Sequence, residues 1–190
     1  MSEAVKKIIT GSLGLAMVVM ATVATVATVA IVALWPASDA RAADKRDLLG
    51  SYRDWDALVI RKGNGEKQCY MISVPKTKSP GNVAHGDVYV TVTHRPGVRV
   101  RDEINFVAGY SFRPNTEVAA SISKRNFRMF TEGDGAWLRT PREDRQMVAA
   151  MKAGESLFMR GTSSRGTSTS YRFSLAGFTA AHSAIDKACN

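Results

Sequence analysis

Gly161-Thr-Ser-Ser-Arg-Gly-Thr167 leads into Ser168-Thr-Ser-Tyr-Arg-Phe-Ser-Leu-Ala-Gly177, and the chain closes with Phe178-Thr-Ala-Ala-His-Ser-Ala-Ile-Asp-Lys-Ala-Cys189 before a final Asn190. Two periodicities meet in this stretch. Thr169, Tyr171, Phe173 and Leu175 alternate with Ser168, Ser170, Arg172 and Ser174, the period of two of a strand with one apolar face. Past Gly177 the apolar positions become Phe178, Ala181, Ile185 and Ala188, the spacing of a short helix with one buried stripe. The helix ends on Cys189, one of two cysteines in the chain; the other, Cys69, lies in an early strand. A Cys69–Cys189 bond would fasten the last helix to one of the first strands and close the domain between them.

Working outward, short apolar-alternating runs recur between Gly and Pro turns. Asp44–Gly50 reads as a polar lead-in. Strands are expected at Tyr52–Arg61, Gln68–Val74, Asp87–His94, Glu103–Gly109, Ser156–Gly161 and the closing Thr167–Leu175. A hairpin of Glu117–Ser123 and Phe127–Thr131 turns around Lys124-Arg125-Asn126. Asp87–His94 is the clearest of them, with Val88, Val90 and Val92 on one face and Tyr89, Thr91 and Thr93 on the other. Pro75–Gly86 reads as a loop. Thr140-Pro-Arg-Glu143 is a capping box with Pro at the first helical position, Met147, Val148 and Met151 form a helical stripe, and Gly154 stops it. Strands at this spacing imply an all-β fold, an antiparallel β-sandwich or barrel of about eight strands with two short helices.

The N-terminus belongs to targeting. Lys6 and Lys7 precede Ile8–Leu34, which carries no charge, and Ala40-Arg-Ala42 follows Pro36. The small-x-small pattern expects cleavage after Ala42, whereas the length of the apolar run fits a retained membrane anchor, so residues 1–42 read as a signal peptide or an anchor. In both readings residues 43–190 form one exported domain. It is expected in the periplasm, free or held at the inner membrane; the inner membrane is a partner only if the segment is retained.

The net charge is +9. Arg95, Arg99 and Arg101 flank one expected turn and Lys124, Arg125 and Arg128 another, which makes them candidate contacts for an anionic envelope or host-surface component. The competing reading is solvated loop charge. Nucleic acid is not expected, because the cations form no single stripe with interleaved aromatics and the compartment is wrong.

Catalytic patterns are missing. His85, His94 and His182 have no metal-ligand spacing, Gly161–Gly166 does not form Gly-x-Ser-x-Gly, and the carboxylates form no evident acid–base pair. No cofactor or metal is expected. The Gly/Ser loop with Arg165 has the makings of a phosphate or sulfate site, though no helix start follows it. In an oxidising compartment two cysteines with no Cys-x-x-Cys neighbour read as one structural disulfide, Cys69–Cys189.

Trp55, Cys69-Tyr-Met71, Asp87-Val-Tyr-Val90, Thr93-His-Arg-Pro96, Val107-Ala-Gly-Tyr110, Gly133-Asp-Gly-Ala-Trp137, Gly161–Thr167 and Ser174–Ala181 with Cys189 resemble the invasion-associated locus B (IalB) family, from about Trp55 to Cys189. The resemblance implies an exported envelope protein of the alphaproteobacteria, with a name taken from red-cell invasion, and it brings no catalytic residue. The expectation is a non-enzymatic binding or envelope-support module that contributes to host-cell contact in some settings. The competing expectation is a periplasmic hydrolase or transferase with an unrecognised site.

Overall fold

The computed structural model describes residues 43–190. The expected signal peptide or anchor, 1–42, lies outside the described residues. Among the described residues no helix is long and apolar enough to cross a membrane.

Among the described residues eleven strands form one antiparallel sheet: β1 (Lys45–Tyr52), β2 (Trp55–Arg61), β3 (Lys67–Ser73), β4 (Thr77–Ser79), β5 (Tyr89–Arg95), β6 (Val100–Val107), β7 (Glu117–Ile122), β8 (Arg125–Glu132), β9 (Gly135–Trp137), β10 (Ser156–Thr162) and β11 (Ser168–Ser174). Their spatial order is β1-β2-β3-β5-β6-β9-β8-β7-β10-β11-β4, and the sheet is open, not a closed barrel. It nonetheless bends over itself. Phe106 of β6 lies 5.6 Å from Tyr171 and 6.1 Å from Phe173 of β11, ring centre to ring centre, although the two strands are five places apart. The Trp55 indole N–H donates to the Ser174 carbonyl at 3.0 Å, tying the start of β2 to the end of β11. The two halves thus pack face to face around one core, as a sandwich does, which removes apolar area from water on both inner faces.

The three strands beyond the expected eight are β1, β4 and β9. β4 and β9 are three residues each, too short to show a period. β1 was expected as a polar lead-in; it is a strand because its backbone pairs with β2 from Lys45↔Arg61 to Tyr52↔Trp55, with Asp47 ion-paired to Arg61. Edge pairing of this kind leaves little apolar signature.

α1 (Pro141–Ala153) starts with the expected box, the Thr140 hydroxyl accepting from the Glu143 N–H and the Glu143 carboxylate accepting from the Thr140 N–H. Gly154 ends it in extended conformation, so its role is close approach: a Cβ there would lie 2.5 Å from Ile122. α2 (Phe178–Ala188) begins at Gly177, whose φ of +91° is left-handed and whose missing Cβ makes room for the Tyr52 carbonyl. Phe178 meets Trp55 edge-on at 5.0 Å. Cys189 follows α2 and is bonded to Cys69 of β3, across 120 residues of sequence.

Candidate functional site

The strands run between two ends. At one end lie the β5–β6 turn, the β7–β8 turn and the last turn of α2. At the other lie the segment before β5, the segment after β6 and the β10–β11 loop.

At the first end the six cations singled out in the sequence fall into two groups. Arg95 is in β5 and ion-paired to Glu103 at 2.6 Å; Arg101 is in β6, 2.6 Å from Asp186 and 3.0 Å from Asn190 Oδ1. Arg99, in the turn, and Lys124, Arg125 and Arg128 make no ion pair among the described residues. Arg125 and Arg128 belong to β8, because the hairpin turns at Ser123-Lys124, earlier than its sequence implied. The two groups are level along the strands: Asn105 pairs with Trp137 and Trp137 with Phe130, which puts Val100 beside Arg99 and Arg125 at the same height.

Behind this end is a polar cluster that sequence spacing did not reveal. A bulge in the β5–β6 pairing, with Asp102 at φ +62°, brings the Asp102 N–H onto His94 Nδ1 at 3.0 Å. That amide fixes the tautomer: Nδ1 accepts, so Nε2 carries the proton and donates to Asp186 Oδ1 at 2.9 Å. His182 Nε2 donates to Asp102 Oδ1 at 2.8 Å. His182 Nδ1 lies 3.0 Å from Asp186 Oδ2, but out of alignment, and has no hydrogen-bond partner among the described residues. Burial pushes the His94 pKa below its ordinary value despite the nearby carboxylates. Burial also opposes charge on Asp102, but the His182 hydrogen bond and the fields of both histidines and Arg101 outweigh it and hold that carboxyl low.

His94, Asp102 and His182 are close enough together to share a metal ion. In the hydrogen-bonded arrangement described, the cluster ties α2 to β5 and β6; a metal ion there would have to displace the proton from His94 Nε2. Nearby, Asp144 of α1 accepts the Ile104 N–H at 3.0 Å, where β9 stops short of β6. Burial, reinforced by Glu103, Asp102 and Glu143 and only partly offset by that hydrogen bond, raises its pKa to about 6.

The other end holds a cleft of about 570 Å³ between the Ala84–Gly86 segment, Gly109–Ser111 and the Ser163–Thr167 loop. Its floor is backbone against backbone: a Cβ at Gly86 would lie 2.6 Å from the Gly109 carbonyl, and one at Gly109 2.7 Å from the Asp87 nitrogen. The loop is internally bonded, Gly166 N–H to Ser163 O at 2.8 Å and Thr167 N–H to Ser163 Oγ at 3.1 Å, and the Ser164 N–H holds it to Ser111. Arg165 projects from it with no ion pair among the described residues. Tyr110 bonds Thr169 through their hydroxyls, and Thr169 donates to the Gly161 carbonyl. His85 has both nitrogens engaged: Nε2–H donates to Pro80 O at 2.8 Å and Nδ1 accepts from the Tyr171 hydroxyl at 2.9 Å. Among the described residues no carboxylate lines the cleft. The Gly/Ser/Arg loop is legible in the sequence but its pocket is not, because His85-Gly86 and Gly109-Tyr110 reach it from segments distant in sequence, before β5 and after β6.

The family description "Invasion associated locus B (IalB) protein" matches residues 55–186. The chain belongs to this family. No curated protein and no solved structure matches it. The matched span of this IalB-family chain runs from the Trp55 anchor of β2 to Asp186 in the α2 clamp, and it includes the whole cleft.

Proposed function

We propose that this IalB-family chain is an exported cell-envelope protein that binds without catalysing, and that the cleft between Gly109–Ser111 and Ser163–Thr167 takes a polar, anionic group of the envelope or of a host surface. One observation carries this reading. Among the described residues the cleft presents the Arg165 guanidinium with the hydroxyls of Ser164 and Thr167 and no acidic residue, while the histidine that lines it, His85, is already bonded on both sides. A cation among hydroxyl donors suits an anionic oxygen. A serine nucleophile needs a base within reach, and His85 has no free nitrogen to offer one. Export, in the periplasm or held at the inner membrane, is supported by the Lys6–Ala42 leader pattern and by the Cys69–Cys189 bond.

The test is a photo-reactive residue at Ser164, illuminated in intact cells and read by mass spectrometry. An adduct to an anionic envelope component that disappears when Arg165→Glu is added supports the reading. Hydrolysis of ester or phosphoester substrates that is abolished by Ser163→Ala would replace it with the enzyme alternative.

A further inference from the structure

The sheet face that looks away from the core on β2, β3, β5 and β6 carries its own pattern. Side chains alternate across this face as they do along a strand, so cross-strand register gives rows. One row reads Leu58, Tyr70, Thr93, Glu103; the next reads Ile72, Thr91, Asn105, Trp137. Tyr89 lies one step beyond. Leu58 and Ile72 are buried beneath the partly buried Tyr70, Val74 and Tyr89, forming an apolar floor separate from the main core. Above it is a groove of about 380 Å³ walled by Tyr70, Tyr89 and Trp137. Both helices pack on other faces, α2 against β1, β2, β3 and β5 through its core stripe and α1 against β6 and β8.

The lining is not simply apolar. Between the rings stand Gln68, Thr91 and Asn105, and the Arg95–Glu103 ion pair sits at one end. Gln68 and Thr91 have no side-chain hydrogen bond among the described residues, while Asn105 uses only its amide N–H, to the Ala136 carbonyl at 3.3 Å. An apolar protein surface laid here would desolvate these groups without pairing them, which costs about 1–3 kcal/mol for each. A sugar chain does not carry that penalty. A pyranose ring has a C–H face that stacks on an aromatic ring and a rim of hydroxyls that both donate and accept. From Tyr70 to Trp137 the groove crosses three strand spacings, roughly 14 Å, enough for more than one ring.

We infer that this outer face is a glycan-binding groove in which Tyr70, Tyr89 and Trp137 stack on sugar rings and Gln68, Thr91 and Asn105 bond their hydroxyls. The inference is independent of the cleft. The test uses the exported protein purified from the periplasm, titrated with cellohexaose, chitohexaose and maltohexaose up to millimolar concentration. Of the three tryptophans Trp137 lines the groove, Trp55 is buried and Trp35 lies outside the described residues, so with Trp35→Phe in every sample tryptophan emission reports occupancy. Two variants are needed because Trp137 also stacks on Phe130 at 5.9 Å and its loss strains the β8–β9 pairing. Trp137→Ala removes a platform; Thr91→Glu keeps every ring and fills the groove. Saturable binding of at least one oligosaccharide, weakened about tenfold or more by both variants with unchanged melting of Thr91→Glu, is the expected result. Arg165→Glu, at the far cleft, should leave it intact. Failure of all three sugars to bind, or binding that survives Thr91→Glu, overturns the inference. So does concentration-dependent dimerisation abolished by the same variants, which would make the face a contact between copies.

Discussion

One backbone N–H sets the chemistry of His94. Because Asp102 donates to Nδ1, a second proton on the ring would face that donor, and burial disfavours the charge as well. A folded pKa below the ordinary 6.5 means the unfolded chain binds more protons in between. The contribution of His94 is therefore complete above about 6.5 and is lost as pH falls through the folded value. His94→Gln supplies an oxygen acceptor and an amide donor without titrating, so denaturant unfolding from pH 7.5 down to 4.5 should show a shallower loss than wild type; an unchanged acid limb would refute this. Asp144 has the opposite sign. Its pKa is raised from 3.8 to about 6, so its contribution is complete below 3.8 and is lost as pH rises through 6. Asp144→Asn keeps an acceptor for Ile104 and removes the titration. Relative to wild type it should gain about 2–3 kcal/mol between pH 4 and pH 7.5, and a gap independent of pH would dismiss the assignment. Neither residue was legible as anything but polar in the sequence: a bulge, which carries no composition signal, brings Asp102 onto His94, and Asp144 meets Ile104 from another element, where β9 stops short of β6.

At the scale of elements, α2 is held by three devices of different kinds: the Gly177 entry, the His/Asp clamp and the Cys69–Cys189 bond. The entry and the bond were readable, since a glycine at a change of period and two cysteines with no Cys-x-x-Cys neighbour are local signals. The clamp was not, because His182 sits among the apolar residues on the buried face of α2 and its partner Asp102 lies 80 residues away in β6. Gly177→Ala asks a Cβ to occupy space within 1.8 Å of the Tyr52 carbonyl, at a φ of +91°. The chain must then move the β1–β2 turn or unseat α2, and thermal melting should fall far more than the cost of left-handed backbone alone, about 1–2 kcal/mol. A loss no larger than that would mean the turn yields freely. The disulfide closes a separation of 120 residues, and the chain-entropy relation gives about 4–5 kcal/mol for a loop of that size. Cys69→Ser with Cys189→Ser should lose stability of that order, with hydrogen-exchange protection falling first in α2; alkylation of the native oxidised protein should find no free thiol. The extra strands β1, β4 and β9 escaped the sequence because their identity comes from neighbours: β1 becomes a strand only when β2 offers it an edge.

For the molecule as described, the register places residues 45 and 190 on the same side as the cations that make no ion pair among the described residues. Lys45 pairs with Arg61, Arg61 with Lys67, and Cys69 with His94, so the chain enters at the end where the β5–β6 turn and Arg99 lie. Arg125 is level with Val100 at that end, and Asn190 meets Arg101 there. A leader emerging before Ala43 would thus bring the basic end toward a membrane, and the cleft with Arg165 would face away from it. Of the six cations singled out in the sequence, Arg95 and Arg101 already hold Glu103 and Asp186, so Arg99, Lys124, Arg125 and Arg128 are the ones left to meet an external anion. Each basic residue close to an anionic surface contributes about 1 kcal/mol, and the attraction dies within a Debye length of about 8 Å at physiological salt, so only cations on one side act together. The protein should therefore co-sediment with vesicles rich in anionic lipid at low salt, weakly at high salt, and not with neutral vesicles. Arg99→Gln, Lys124→Gln, Arg125→Gln and Arg128→Gln together should abolish the preference, whereas Arg165→Gln at the far cleft should leave it unchanged. Equal sedimentation of wild type and the fourfold variant, or none by either, would reduce the basic end to a solvated surface and remove the orientation with it.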